Sequence, residues 1–390
     1  MVHPVYADLP TTIFEEMSGL ARQTGAINLG QGFPDDPGPI VLRRKAGEAL
    51  IDGTNQYPPM RGLPTLRQAV AAHYGRTQGL DLDWETEVVV TSGATEALAA
   101  AFLSLIAPGD EVVLFQPLYD AYLPLVKRAG GGPKLVRLTP PHWRFDRAML
   151  EAAFSDKTRM VVLNTPLNPA GVVKPDEDLA LLAEFCVRHD AIAVCDEVWE
   201  AVTFDGRRHR SLMDFPGMRE RTVKIGSAGK MFGMTGWKVG FLCAAPPLTR
   251  ALAAAHQFLT FTTPPNLQAA VAWGLEHYRE WFQTMPAGLQ ASRDRLAAGL
   301  TQAGFHVLPS AGTYFLNVDL RASGLAIGDR EFCLKSVREH GVAAIPVSAF
   351  YAQDPVTHIA RLCFAKADAT LDTAIARLAG AREALAASGA

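Results

Sequence analysis

The chain has 390 residues, 48% of them hydrophobic and 20% charged. At roughly 150 residues per domain that length suggests two domains, and the apolar fraction excludes both disorder and a small disulfide scaffold. A balance of 40 acidic against 37 basic residues, net charge -3, argues against a dedicated polyanion binder.

Residues 11–24 read as an amphipathic helix started by Thr11 or Thr12, with Ile13, Phe14, Met17, Leu20 and Ala21 apolar. The Gly- and Pro-rich stretch from Gly30 to Pro39 reads as an ordered loop. Helix and strand patterns then alternate. Helices are expected over 62–78, 95–106 and 176–189, and strands over 87–91, 111–115, 160–163, 191–195, 223–225 and 239–243. Short apolar strands separated mostly by helices indicate a sheet buried on both faces. Polar residues collect just beyond the strand ends, where open α/β sheets place their ligands. Past about residue 270 the pattern changes to a long helical region over 267–303, a β run over 314–318, a helix over 329–340, a strand over 359–364 and an Ala-rich helix from 368. This reads as a smaller α+β domain that also recruits the N-terminal segment. The closing ASGA is expected to fray.

No apolar run approaches the roughly 18 residues of a membrane span. The opening MVHPVYADLP lacks the basic and apolar regions of a signal peptide, so a cytoplasmic location is expected. The cysteines Cys186, Cys195, Cys243, Cys333 and Cys363 are odd in number and include no C-x-x-C, which fits buried thiols in a reducing compartment. No G-x-G-x-x-G follows the early strands, and no G-x-S-x-G elbow occurs. Gly229-Lys230 invites a P-loop reading, but Lys224 stands where that motif needs Gly and Met231 where it needs Ser or Thr. The histidines form no H-x-x-x-H pair, so no metal site is expected.

Four polar clusters sit at strand ends: Ser92-Gly93-Ala94-Thr95, Asn164 through Pro169, Asp196-Glu197-Val198-Trp199, and Ser227-Ala228-Gly229-Lys230 followed by Thr235-Gly236-Trp237-Lys238. Each alone is an ordinary cap, turn or solvated loop. Together and in this order they resemble the fold-type I, pyridoxal phosphate-dependent aminotransferases of class I/II, and within them the kynurenine, glutamine and methionine aminotransferase branch. The resemblance runs from Asn28-Leu29-Gly30-Gln31-Gly32-Phe33-Pro34-Asp35 to Arg361-Leu362-Cys363-Phe364-Ala365-Lys366. Its most specific part is IGSAGKMFGMTGWKVG, Ile225 to Gly240, supported by PLNPAG and CDEV.

The resemblance implies an α/β fold with a mostly parallel seven-stranded sheet sandwiched by helices. It implies a large cofactor domain over 45–280 and a small α+β domain made of 1–44 plus 281–390. Lys230 would hold the aldehyde of pyridoxal 5'-phosphate and later move the proton. Asp196 would keep the pyridine nitrogen protonated, so that the ring acts as an electron sink. Asn168 would hydrogen-bond the phenolic oxygen, and Tyr119 would stack on the ring. Ala94, Thr95, Ser227 and Lys238 would hold the phosphate, with the amides of Ala94 and Thr95 at a helix N-terminus. Tyr57 resembles the tyrosine that reaches the phosphate from a neighbouring subunit, which implies a homodimer. Arg361, helped by the backbone of Gly32 and by Asn168, would take the substrate carboxylate.

One departure stands out. Trp199 replaces the family's D-x-x-Y tyrosine, and an indole N–H donates but neither accepts nor ionises. For the side-chain pocket the candidates are Phe14, Tyr122, Trp199 and, from the partner subunit, Phe261. They favour aromatic, methionine-, glutamine- or kynurenine-like L-amino acids, in ping-pong exchange with a 2-oxo acid. Two other readings use the same residues: a cysteine-S-conjugate β-lyase, and a pyridoxal phosphate-bound regulator without catalysis. No nucleic-acid or membrane partner is expected.

Overall fold

A computed structural model of the chain describes residues 2–7 and 9–388. Its strands, in chain order, are β1 (Ile27–Asn28), β2 (Val88–Thr91), β3 (Glu111–Gln116), β4 (Gly132–Arg137), β5 (Thr158–Asn164), β6 (Ile192–Asp196), β7 (Thr222–Ser227), β8 (Gly240–Cys243), β9 (His306–Val307), β10 (Phe315–Asp319), β11 (Val342–Ala343), β12 (Ile345–Pro346) and β13 (Ile359–Cys363).

Strands β2 to β8 form one seven-stranded sheet in the order β2-β8-β7-β6-β5-β3-β4. Its pairs are parallel except those of β8, which runs against both β2 and β7. Apart from β4, these strands are buried along nearly their whole length, the pattern of a sheet covered on both faces, and β2, β3 and β5 are rich in Val, Leu and Met. Alternate residues of β3 enter opposite layers. Val113 and Phe115 join one with Leu163 and Phe185, while Val112 and Leu114 join another with Leu98 and Phe102. Each such side chain contributes about 1.5–3 kcal/mol on burial. Strand β4 lies at the sheet edge and is largely exposed.

The antiparallel β8 has a functional consequence. Its first residue, Gly240, pairs with both Thr91 and Ser227, the last residues of β2 and β7. The start of β8 therefore lies at the same end of the sheet as the carboxyl ends of β2, β5, β6 and β7, where α/β sheets bind ligands.

A four-stranded antiparallel sheet, β12-β13-β10-β9, is built from the C-terminal region. β1 pairs in parallel with β11, Ile27 opposite Val342 and Asn28 opposite Ala343. Leu29 extends the link, donating to the Ala343 carbonyl at 3.0 Å and accepting from the Cys363 amide at 2.7 Å. No described helix is long and apolar enough to cross a membrane.

Several elements differ from the sequence reading. The helical region over 267–303 is two helices, Pro265–His277 and Trp281–Gln302, because Tyr278 leaves helical geometry. The helix expected from Thr95 begins at Gly93. A helix Ile40–Asp52 follows the Gly/Pro loop directly, and its entry at Pro39 hid its start. Strand β4 begins on Gly132-Pro133, which reads as a turn. The final helix reaches Ser388, and the last two residues of the ASGA tail lie outside the described residues.

Candidate active site

Every site residue expected from the sequence except Tyr57, Tyr122 and Phe261 lines one cavity of about 370 Å³. The sheet delivers most of them. Asp196 is the last residue of β6, and Asn168 follows β5. Ser227 ends β7 and caps the short helix Ala228–Met231, its hydroxyl accepting from the Lys230 amide at 3.3 Å. Arg361 arrives from the other side, in the middle of β13.

Two cations, Lys230 and Arg361, line this cleft. The Lys230 amine donates to the Gly32 carbonyl at 3.2 Å and lies 4.6 Å from the centre of the Trp199 ring. Burial pushes its pKa down to about 8. The charges of Arg361 and Lys238 act in the same direction, and Asp196 opposes them. Arg361 is buried, and its guanidinium stacks 3.8 Å from the centre of the Phe315 ring. It donates to the Asn168 side chain at 2.8 Å and to the Gly30 carbonyl at 2.6 Å. Its Nε has no hydrogen-bond partner, and among the described residues no carboxylate pairs with it. Burial lowers its pKa to about 9. A guanidinium held in this way lacks a counter-anion, and an incoming carboxylate supplies one.

The Asp196 carboxylate is buried, which raises its pKa. A 2.5 Å hydrogen bond from the Tyr122 hydroxyl opposes that shift. Tyr122 is therefore not a side-chain pocket residue, as its aromatic character had suggested. It is fully buried behind Asp196, does not line the cavity, and holds the carboxylate in place. Asn168 is fixed through backbone and side chain: its backbone N–H donates to Asn164 Oδ1 at 2.8 Å, and its own Oδ1 accepts from Arg361.

The helix Gly93–Leu105 points its N-terminus into the cavity. Its N-cap residue Ser92 makes no side-chain cap, so the first-turn amides remain available to an anion. The approach is tight. A Cβ on Gly240 would lie 2.7 Å from the Gly93 carbonyl carbon, and one on Gly93 would lie 3.3 Å from Lys238 Nζ. Lys238 itself adopts a left-handed φ of 54°, a conformation an L-residue holds only when its surroundings require it.

The sequence reading missed Tyr314 and Phe315. The Tyr314 hydroxyl donates to the Lys230 carbonyl at 3.0 Å, and its ring meets Trp199 edge-on at 4.5 Å. Phe315 reaches Arg361 because β10 and β13 pair Asn317 with Arg361 and Phe315 with Cys363, a diagonal contact visible only once the register is known. Trp199 shows Lys230 a ring face, so its contact with that amine is cation–π. Tyr57 is 83% exposed, away from the cavity, and meets Phe261 edge-on at 5.4 Å. Neither residue enters the site of its own chain.

The residues present fit pyridoxal phosphate: a lysine amine, a buried carboxylate, an uncapped helix N-terminus beside Lys238, and a buried guanidinium lacking a counter-anion. Comparison with known proteins points the same way. The family model "aminotransferase class I and II" matches residues 24–378. A probable N-succinyldiaminopimelate aminotransferase of Mycobacterium tuberculosis is 46% identical over 94% of this chain and 95% of its own length. The methionine aminotransferase of Escherichia coli is 43% identical over 95% of this chain and 96% of its own length. The solved structure of N-succinyldiaminopimelate aminotransferase from Mycobacterium tuberculosis superposes with a TM-score of 0.94 at 45% identity, covering 98% of this chain and all of its own.

Proposed function

The chain belongs to the class I and II aminotransferase family and is a pyridoxal phosphate-dependent aminotransferase, and from that premise we propose that its amino donors are L-amino acids with aromatic or neutral side chains. Methionine, glutamine and kynurenine-like donors are included, and the acceptor is a 2-oxo acid in a ping-pong exchange. The observation that carries this reading is the buried Arg361, which holds a charge without a carboxylate partner at the wall it shares with Lys230. Beyond Arg361 the walls are aromatic: Phe14, Phe33, Trp199 and Phe315. Among the described lining residues the remaining cations are Lys230 and Lys238, and both have other work in this scheme.

When bound, the cofactor supplies an electron sink that stabilises negative charge at the substrate Cα. The protein supplies the rest. Arg361 and Asn168 orient the substrate carboxylate, which fixes which Cα bond faces Lys230. Asp196 holds a proton on the pyridine nitrogen. The Lys230 amine, with its pKa lowered toward neutrality, takes the proton from Cα and returns it on the other side of the exchange. Ala94, Thr95, Ser227 and Lys238 anchor the phosphate, and Tyr119 covers the ring.

We also place residues 45–280 in a large domain and 1–44 with 281–390 in a small one, a division supported by the pairing of β1 with β11. A homodimer is part of the same reading. The exposed contact between Tyr57 and Phe261 is a surface for a second copy, whose phosphate Tyr57 would reach. The free, buried cysteines suit a reducing cytoplasm.

The test is a panel of amino donors against several 2-oxo acids, with Lys230→Ala as the control. N-succinyldiaminopimelate belongs in the panel because the Mycobacterium relative is named for it. Turnover of aromatic donors or methionine, lost in Lys230→Ala, supports the reading. Preference for a donor with a distal carboxylate overturns the side-chain assignment. Pyruvate and ammonia formed from cysteine S-conjugates without a 2-oxo acid would favour the lyase.

A further inference from the structure

The turn after β6 has two sides. Asp196 and Trp199 face the cavity, whereas Glu197 and Glu200 are buried away from it. The Lys224 ammonium lies between those two carboxylates, touching Glu197 Oε2 and Glu200 Oε2, with no exposure to solvent. The surrounding groups complete the cage. The Ser211 hydroxyl donates to Glu197 Oε1 at 2.8 Å, and His209 Nε2 lies 2.7 Å from Glu197 Oε2. The Tyr74 hydroxyl and the Gln78 amide donate to Glu200, each at 2.6 Å. Glu197, Glu200 and His209 bring their ligating atoms within 4.8 Å of one another, close enough to hold a metal ion. The cation between the carboxylates is instead covalently supplied by β7.

Lys224 lies on the strand that runs on to Ser227 and Lys230. The Glu197 amide also donates to the Ile225 carbonyl at 3.0 Å, so backbone and side chain tie the same two segments. We propose that Lys224 is a positioning residue for the aminotransferase reaction: by bracing Glu197 and Glu200 it sets where Asp196 and Trp199 stand relative to Lys230. This rests on the roles given above to Asp196 and Lys230. Without the ammonium nothing bridges the two carboxylates to β7, and the turn that carries Asp196 loses its fixed position. A buried ion cluster of this kind is weak as a source of stability compared with apolar residues of similar volume, whereas as a strut it fixes geometry.

The test uses the full-length protein and variants Lys224→Met and Lys224→Met/Glu200→Gln, the second removing one of the two carboxylates that the first leaves without their bridging ammonium. Three quantities are read: thermal stability, affinity of the cofactor-free protein for pyridoxal phosphate by fluorescence titration, and the pH midpoint of the bound cofactor's absorbance. Lys224→Met is expected to bind the cofactor about 10-fold more weakly and to move that midpoint by about half a pH unit or more. The double variant is expected to recover stability while the midpoint stays displaced. If Lys224→Met does not fold, the double variant alone decides. Unchanged cofactor affinity and midpoint in a folded variant, with only thermal stability altered, overturn the proposal. Failure of the unmodified protein to develop the cofactor's pH-dependent absorbance would instead overturn the roles of Lys230 and Asp196.

Discussion

The Tyr122 hydroxyl sits 2.5 Å from Asp196 Oδ2, and both side chains are buried. Burial alone raises the pKa of Asp196, and this hydrogen bond lowers it by favouring the ionised form. Tyr122→Phe removes the bond, so the carboxyl keeps its proton to higher pH. The acid limb of the kcat/KM profile is expected to move upward, with a loss of about 10-fold near neutrality, the order for a hydrogen bond to a charged group. Profiles of both proteins from acid to mild base check this, and coincident acid limbs would contradict it.

Arg361→Lys keeps a positive charge but loses the planar fork and the stack on Phe315. The expected result is a fall of about 100-fold in kcat/KM, from the cost of about 3 kcal/mol for an imperfectly paired buried charge. Because the carboxylate is bound in the ground state too, most of the loss should appear in KM. Steady-state kinetics with a single donor separate the two constants.

Lys230 carries a stability signature in the cofactor-free protein. An unfolded lysine keeps its proton to about pH 10.4, whereas the folded group releases it at about 8. Between these values the unfolded state binds more protons, so stability rises with pH across the window. Below the window the buried charge is a constant penalty. Lys230→Met removes it and should stabilise the cofactor-free protein near neutrality by about 1–2 kcal/mol, allowing for solvent at the cavity wall. The advantage should shrink toward about pH 10. Urea unfolding at both ends of the range measures it, and a gap independent of pH would count against the assignment.

Gly240→Ala tests the phosphate cradle. The added methyl would meet backbone, 2.7 Å from the Gly93 carbonyl carbon and 2.9 Å from the Ala94 nitrogen, and backbone yields less readily than a side chain. A destabilisation of about 1–3 kcal/mol is expected, together with weaker cofactor retention because the first turn of the helix must shift. Calorimetry and cofactor titration read the two effects.

Much of this was legible in the sequence. The strands β5, β6 and β7 could be read from their apolar runs, and the polar residues at their ends converge on one cavity. What escaped depended on contacts distant in sequence. Tyr122 looked like pocket lining because its aromatic ring carries no sign of the carboxylate beneath which it lies. Phe315 meets Arg361 through strand register, which no local pattern encodes. The lysine at 224, noticed only for spoiling a P-loop match, proves to have two buried glutamates as partners, contributed by a different strand end.

The contact between Arg361 and the Gly30 carbonyl joins residues 331 positions apart. Domains form in order as a chain leaves the ribosome, and the sheet that ends at Cys243 can be laid down well before β13 emerges. In the loop around Gly30, among the first segments made, the Gly30 and Gln31 amides are held locally by Asn28 Oδ1, whereas the Gly30 carbonyl has to wait for Arg361 on β13. Among the residues given roles at the site, Arg361 is thus the last to be synthesised. A truncation ahead of Arg361 would remove the wall that recognises a carboxylate and, with Leu362 and Phe364, part of the core against which Trp199 packs.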